Sequence, residues 1–188
     1  KVLLRHLLGQ NTREHVLDWF GVPRELAPWI SSLDNPEHDL LMMRVDVLPS
    51  VGGTPWICEI NVDSSVGGAE MAQFRRMEEL RNGTRPQPTP YDDLVCLLGK
   101  ILGRIGGRKV CIYDWSAWAG RGFFSPEWLR QTLTTGLPGI EVFAATELDG
   151  CTRIDKDTVV YRMFLSQDAM GQLDLMNELY DKAGFVLS

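Results

Sequence analysis

Two runs of alternating apolar and polar residues, separated by a turn rich in proline and glycine, constrain the fold of this chain most. The first run covers residues 41–48 and the second covers residues 56–62, and the segment 49–55 between them contains two prolines and two glycines. A period of two is typical of a β-strand, and the intervening composition is typical of a turn. The pattern therefore predicts an antiparallel hairpin.

One register of this hairpin puts every apolar side chain on the same face. It pairs the following residues across the two strands: Arg44 with Asn61, Val45 with Ile60, Asp46 with Glu59 and Val47 with Cys58. A slip by one residue would mix the faces, which the burial of one face disfavours. In this register four polar residues share the opposite face. We call them the polar patch: Arg44, Asp46, Glu59 and Asn61.

The polar patch predicts a cation-binding site. Two acids side by side repel each other unless a cation joins them. Arg44 neutralises one acid, and a hard divalent metal ion, which prefers carboxylate and amide oxygens, accommodates the rest. The alternative interpretation is a solvated face of mixed charge, which is common in amphipathic hairpins.

The segment after the second strand favours a binding site over a solvated face. It contains hydroxyls, backbone N–H groups and two glycines that let a ligand approach the main chain, just before a predicted helix. The candidate residues are Ser64, Ser65, Gly67 and Gly68.

Composition limits the classes of function. A length of 188 residues is enough for one sizeable domain or two small ones. The net charge of −6, without a basic run, argues against a nucleic-acid partner. No apolar run is long enough to span a bilayer, and no signal peptide is visible. The four cysteines have no C-x-x-C spacing and the histidines have no ligand spacing, so we expect a cytoplasmic protein with reduced thiols and no zinc.

The second half of the chain has a β-α-β pattern. We predict a helix over 91–105, strands over 108–114, 140–144 and 157–162, a helix from Pro126, and a closing helix over 173–183. The sequence has no G-x-G-x-x-G motif for a dinucleotide. The predicted fold class is α/β, with helices and an antiparallel hairpin followed by a small Rossmann-like parallel-sheet domain. The proline-rich connector 83–90 predicts domains over 1–90 and 91–188.

Two arginines are candidates for anion binding in this second domain. In open α/β sheets, ligands bind beyond the carboxyl ends of the strands. Arg121 lies in the loop after the first predicted strand, and Arg162 ends the third. We predict that both face one crevice and bind an anionic group in bidentate fashion. The alternative is that Arg162 pairs with a nearby acid, and that Trp115 and Trp118 pack in the core.

The motifs resemble those of a known ligase family. Arg44-Val45-Asp46, then Glu59-Ile60-Asn61, then serines and Gly67-Gly68 are similar to the substrate and metal segment of the eukaryotic-type glutathione synthetases and their glutathionylspermidine-synthetase-like relatives. Tyr161-Arg162 resembles a strand end in that family's substrate domain. The turn from Asn61 to Gly67 is one residue shorter than in glutathione synthetases, which leaves open whether Ser64 or Ser65 contacts substrate.

The resemblance implies an ATP-dependent carboxylate–amine ligase with a circularly permuted ATP-grasp fold, which forms an amide through an acylphosphate. It implies ATP and Mg²⁺ as cofactors, with Glu59 and Asn61 as metal ligands. The implied site residues are Glu59, Asn61, Gly67 and Gly68 for the cofactor, and Arg44, Ser64, Ser65 and Arg162 for the substrate. The strand-end argument adds Arg121 to the substrate residues. For catalysis we expect Arg44 and Asp46. Asp46 is expected to orient Arg44 or an amine nucleophile.

Further expectations concern the extent of the chain, its partners and the competing functions. The family's ATP-binding lid comes after the substrate domain, where this sequence ends at Ser188, so we expect a fragment of a longer ligase, and the alternative is a protein that has lost the lid. The expected partners are small-molecule or peptide carboxylates and amines, without nucleic acid or membrane, and with a homodimer as one option.

The competing function is a non-catalytic binding module for an acidic peptide or metabolite. A weaker alternative is a hydrolase that uses Asp114 or Ser116, although neither has a histidine partner.

Overall fold

The computed structural model describes residues 13–19, 21, 23–25, 44–61, 77–83, 89–117 and 126–187. The chain divides into two compact units, Lys1–Leu41 and Met42–Ser188. The described part of the first unit contains helix α1, Arg13–Trp19. The predicted domain boundary lies in a connector that falls largely outside the described residues, and it stays a prediction. Among the described residues, no helix is both long enough and apolar enough to cross a membrane.

The second unit begins with the predicted hairpin. Strand β1, Arg44–Leu48, pairs antiparallel with strand β2, Trp56–Asn61. The predicted register is confirmed at three positions, since Arg44 lies opposite Asn61, Val45 opposite Ile60 and Asp46 opposite Glu59.

Beyond Asp46 the predicted register is wrong. The pairing shifts between Asp46 and Val47, and Val47 lies opposite Ile57 instead of Cys58. This is a β-bulge, in which one strand contains an extra residue that has no residue opposite it. Cys58 is that extra residue, so the apolar alternation of β2 does not continue across the whole hairpin.

The described side chains on the predicted apolar face of the hairpin are exposed. Val45 and Val47 keep 39% and 47% of their surface accessible, and Cys58 is exposed. Our expectation of a buried apolar face is wrong for these three residues. The physical reason is that a two-stranded sheet buries a face only where a second layer packs against it.

The rest of the second unit is a parallel α/β structure. Its elements follow in this order: α2 (Pro90–Ile105), β3 (Lys109–Asp114), α3 (Pro126–Gly136), β4 (Glu141–Thr146), β5 (Thr158–Arg162), a short 3₁₀ helix (Ser166–Ala169), α4 (Leu173–Lys182) and β6 (Phe185–Leu187). Residues 77–82 are also helical. The four strands are parallel in the order β4-β3-β5-β6. The α/β class and the three predicted strands are confirmed, and β6 is a fourth strand that the sequence pattern did not predict.

Helices cover the parallel sheet. On one face, the fully buried Leu98 of α2 and Leu133 of α3 belong to the same apolar cluster as Val110, Ile112 and Val159 of the strands. The connection from β3 to β4 and the connection from β5 to β6 run in opposite directions along the sheet. Because crossovers between parallel strands are right-handed, α4 belongs on the face opposite α3. The sheet therefore forms the middle layer.

Candidate functional site

The backbone of the hairpin brings the polar patch together. Residues directly opposite each other in an antiparallel pair project to the same face. The observed pairs Arg44–Asn61 and Asp46–Glu59 are two positions apart along each strand, so all four positions lie on one face. The Asp46 side chain is half-buried and the Glu59 side chain is exposed. Two carboxylates therefore project from adjacent strands.

The donor set of the polar patch fits Mg²⁺ bound together with phosphates. Mg²⁺ is usually held by one or two carboxylates, with waters and substrate phosphates completing its octahedral shell. Asp46 and Glu59 supply two carboxylates, and the contribution of the Asn61 amide stays a prediction. Among the described residues, no group of three or more His, Cys, Asp or Glu is arranged to hold a metal ion by itself.

The bulge lies next to the polar patch. Cys58, its extra residue, directly precedes Glu59 and is exposed. Bulges increase the local twist of a strand and change the direction of neighbouring side chains, and they are frequent beside active sites. The position of this bulge is therefore consistent with a functional hairpin.

Half of the predicted site residues lie outside the described residues. These are Ser64, Ser65, Gly67, Gly68 and Arg121. Their roles in binding substrate or cofactor stay predictions.

A second candidate region is the edge of the parallel sheet where β3 and β5 end. The two strands are neighbours, with Tyr113 beside Arg162. From these ends the chain leaves in opposite directions, towards β4 and towards β6. Such a reversal is a topological switch point, where open α/β sheets have their ligand-binding crevice. We call this region the switch-point edge.

Arg162 lies at the switch-point edge, as predicted, and its side chain is only 3% exposed. Its Nη1 donates a hydrogen bond to Ser166 Oγ at 2.8 Å. Its Cζ lies 5.3 Å from the centroid of the Phe164 ring. The guanidinium is therefore held by a hydroxyl and an aromatic ring, and its contact with substrate stays a prediction.

Asp114 ends β3 at the same edge and is 8% exposed. Its Oδ1 accepts a hydrogen bond from the backbone N–H of Trp115 at 2.8 Å. Burial raises the pKa of Asp114 above its ordinary value, and the negative charges of Glu147 and Asp168 raise it further, against the opposing effect of the Trp115 hydrogen bond.

Sequence patterns did not identify Glu147, which follows β4 in a turn. Its Oε2 accepts a hydrogen bond from the Ser116 backbone N–H at 2.6 Å, and its Oε1 accepts one from the Ser116 hydroxyl. No motif or periodicity marks a glutamate in this position, and only the parallel pairing of β3 with β4 brings it to Ser116.

An open groove of about 480 Å³ lies between α2 and α3. Tyr91 and Trp128 meet edge to face there, with ring centroids 4.9 Å apart. None of the predicted site residues that the structure describes lines this groove.

No family model matches the chain, and no curated protein matches it. The resemblance to the glutathione synthetases therefore depends on the short motifs and on the order of the parts.

Proposed function

We propose that the chain carries the metal-binding and substrate-binding part of an ATP-dependent carboxylate–amine ligase with a circularly permuted ATP-grasp fold. The observation that carries the proposal is the hairpin register, which puts Arg44, Asp46, Glu59 and Asn61 on one face. A parallel α/β domain follows the hairpin, and its strand β5 ends in Tyr161-Arg162. Both the motifs and their order resemble those of the ligase family, apart from the shorter turn after Asn61.

The reaction has two steps. A carboxylate oxygen of the substrate attacks the γ-phosphorus of ATP, which gives an acylphosphate and releases ADP. The amine of the second substrate then attacks the acyl carbon, which forms the amide and releases phosphate. Both steps depend mainly on positioning and on neutralisation of charge, so no strong acid–base residue is required.

The polar patch supplies these two effects. Arg44 and Arg162, with Ser64 or Ser65, bind the substrate carboxylate, and Asp46 orients Arg44 or the incoming amine. Glu59 and Asn61 hold Mg²⁺, and the glycines at 67 and 68 let the phosphates approach the backbone. Mg²⁺ held by these residues would neutralise the charge that develops on the phosphate oxygens.

The test is the release of ADP by the natural full-length protein with MgATP and a panel of amino acids and dipeptides as carboxylate and amine. We expect ADP release that requires Mg²⁺ and both substrates. Glu59→Gln should lower it by about 100-fold or more, because even residues that only orient metal ligands contribute about 10- to 100-fold. The matched control is Glu78→Gln, an exposed acid outside the hairpin, which should keep full activity.

Binding of these substrates without any release of ADP would contradict the ligase and would favour the non-catalytic binding module. Activity that Glu59→Gln leaves unchanged would contradict the role of the hairpin as the metal site.

A further inference from the structure

The switch-point edge contains a carboxylate that the proposed chemistry does not use. Glu147 follows β4, yet its side chain accepts both of its hydrogen bonds from Ser116, in the turn after β3. One bond comes from the Ser116 backbone and the other from its hydroxyl. Hydrogen bonds to an ionised carboxylate are stronger than those between neutral groups, and two of them fix orientation as well as position.

The turn that Glu147 holds also carries an aromatic side chain. Trp115 directly precedes Ser116, and its ring centroid lies 5.0 Å from that of Phe164 at an angle of 53°. Phe164 is almost completely buried. This distance is within the range of favourable aromatic pairs, so the position of the turn determines how Trp115 packs on Phe164.

Phe164 in turn contacts the predicted substrate-binding arginine. The Arg162 guanidinium lies over the Phe164 ring at 5.3 Å, within the range of a cation–π interaction. Ser166 accepts a hydrogen bond from the same guanidinium. A displaced Phe164 ring would therefore change the surroundings of a guanidinium that has little freedom to move.

We infer that Glu147 is a positioning residue for Arg162. It holds the Ser116 turn, the turn holds Trp115 against Phe164, and Phe164 lies against the guanidinium. Its relevance to catalysis rests on the proposed function, in which Arg162 binds the substrate carboxylate. The contacts themselves require no substrate, so they are measurable without any turnover.

The experiment is an NMR comparison of the chain and its variants in the absence of ATP. Three signals are recorded: the hydrogen-exchange rate of the Ser116 amide, the indole N–H of Trp115 and the Nε–H of Arg162. Trp115→Phe and Arg162→Lys identify the last two signals by their loss. The variants are Glu147→Ala, Glu147→Gln and Ser116→Ala. The matched control is Glu141→Gln, which removes an exposed acid at the other end of β4, where it pairs with Arg153 at 2.8 Å.

We expect Glu147→Ala to speed exchange of the Ser116 amide on the order of tenfold or more, because it removes a hydrogen bond to a charged acceptor. The Trp115 and Arg162 signals should both shift, while the control leaves all three in place. Ser116→Ala keeps the backbone bond, so its shifts should be smaller and in the same direction.

An Arg162 signal that stays unchanged in Glu147→Ala, whether or not the Ser116 amide exchanges faster, would overturn the inference. If Glu147→Ala does not fold, the Arg162 signal is compared in Glu147→Gln and Ser116→Ala instead, because both variants keep most of the side-chain volume. An unchanged Arg162 signal in these two variants would overturn the inference in the same way. Failure of the ligase proposal would be seen as absent ADP release and would leave these three signals as they are.

Discussion

The two sheets of this chain differ in how much apolar surface they bury. In the parallel sheet, Val110, Ile112 and Val159 are completely buried between strands and helices. In the hairpin, the large apolar side chains are mostly exposed, and Trp56 keeps 70% of its surface accessible. The parallel sheet is therefore stabilised mainly by burial, whereas the hairpin depends on backbone pairing, which is marginal for two strands alone.

This difference matters for function because binding segments tend to come from the less stable parts of a protein. A ligand that binds the folded hairpin also stabilises it, by an amount that depends on ligand concentration. We therefore expect the hairpin to gain order with its ligand, and the parallel sheet to change little.

The largest expected effect tests the parallel sheet. Leu98→Ala should lower the free energy of unfolding by about 2–5 kcal/mol, because Leu98 is completely buried in α2 and its loss leaves a cavity. Urea unfolding, monitored by circular dichroism, measures this loss of unfolding free energy. The paired change in the hairpin, Ile57→Ala, should stay within about 0.5 kcal/mol, since Ile57 is largely exposed. Equal losses from the two changes would contradict the contrast between the sheets.

A smaller effect concerns the pH dependence of the parallel sheet. Burial raises the pKa of Asp114 in the folded protein above its ordinary value of 3.8. Between these two pKa values the folded state binds more protons than the unfolded state, so the free energy of unfolding falls as pH rises through that range. The side chain that Asp114→Asn introduces is neutral at every pH, and its amide oxygen can still accept the hydrogen bond from the Trp115 backbone N–H. It should be more stable than the wild type at pH 7, and this gain should vanish below pH 3.8.

Asp155→Asn provides the control of opposite sign. A hydrogen bond from Lys109, at 2.5 Å, lowers the pKa of Asp155, and Thr158 adds to the shift. The stability that Asp155 contributes is present above its ordinary pKa and is lost as pH falls. Thermal unfolding across pH 3 to 8 measures the stability of both variants. If Asp114→Asn were less stable than the wild type at pH 7, the predicted direction of the Asp114 effect on stability would be wrong.

Much of the fold follows from local pattern. The run Val110-Cys111-Ile112-Tyr113 is apolar on both faces, as expected of a strand buried between two helical layers, and it forms β3. The alternation around Asp46 and Glu59 correctly predicts the register of the hairpin there, although Val45 and Val47 are exposed and burial of the apolar face does not account for it.

Other features depend on contacts that local pattern does not contain. The bulge at Cys58 inserts one residue into an otherwise regular alternation, and the composition of β2 does not mark it. Strand β6 has only three residues and exists because it pairs with β5. Glu147 becomes a partner of Ser116 only when β3 and β4 lie side by side.

The central claim is that the polar patch binds the metal ion and the nucleotide. Paramagnetic NMR with Mn²⁺, which prefers the same oxygen ligands as Mg²⁺, tests it most directly. Substoichiometric Mn²⁺ is added to the labelled chain with and without ATP. We predict that, with ATP present, the amide signals of Asp46 and Glu59 broaden first, while those of Asp114 and Glu147 stay sharp. Broadening centred on Asp114 and Glu147, or spread evenly over the exposed acids, would contradict the account.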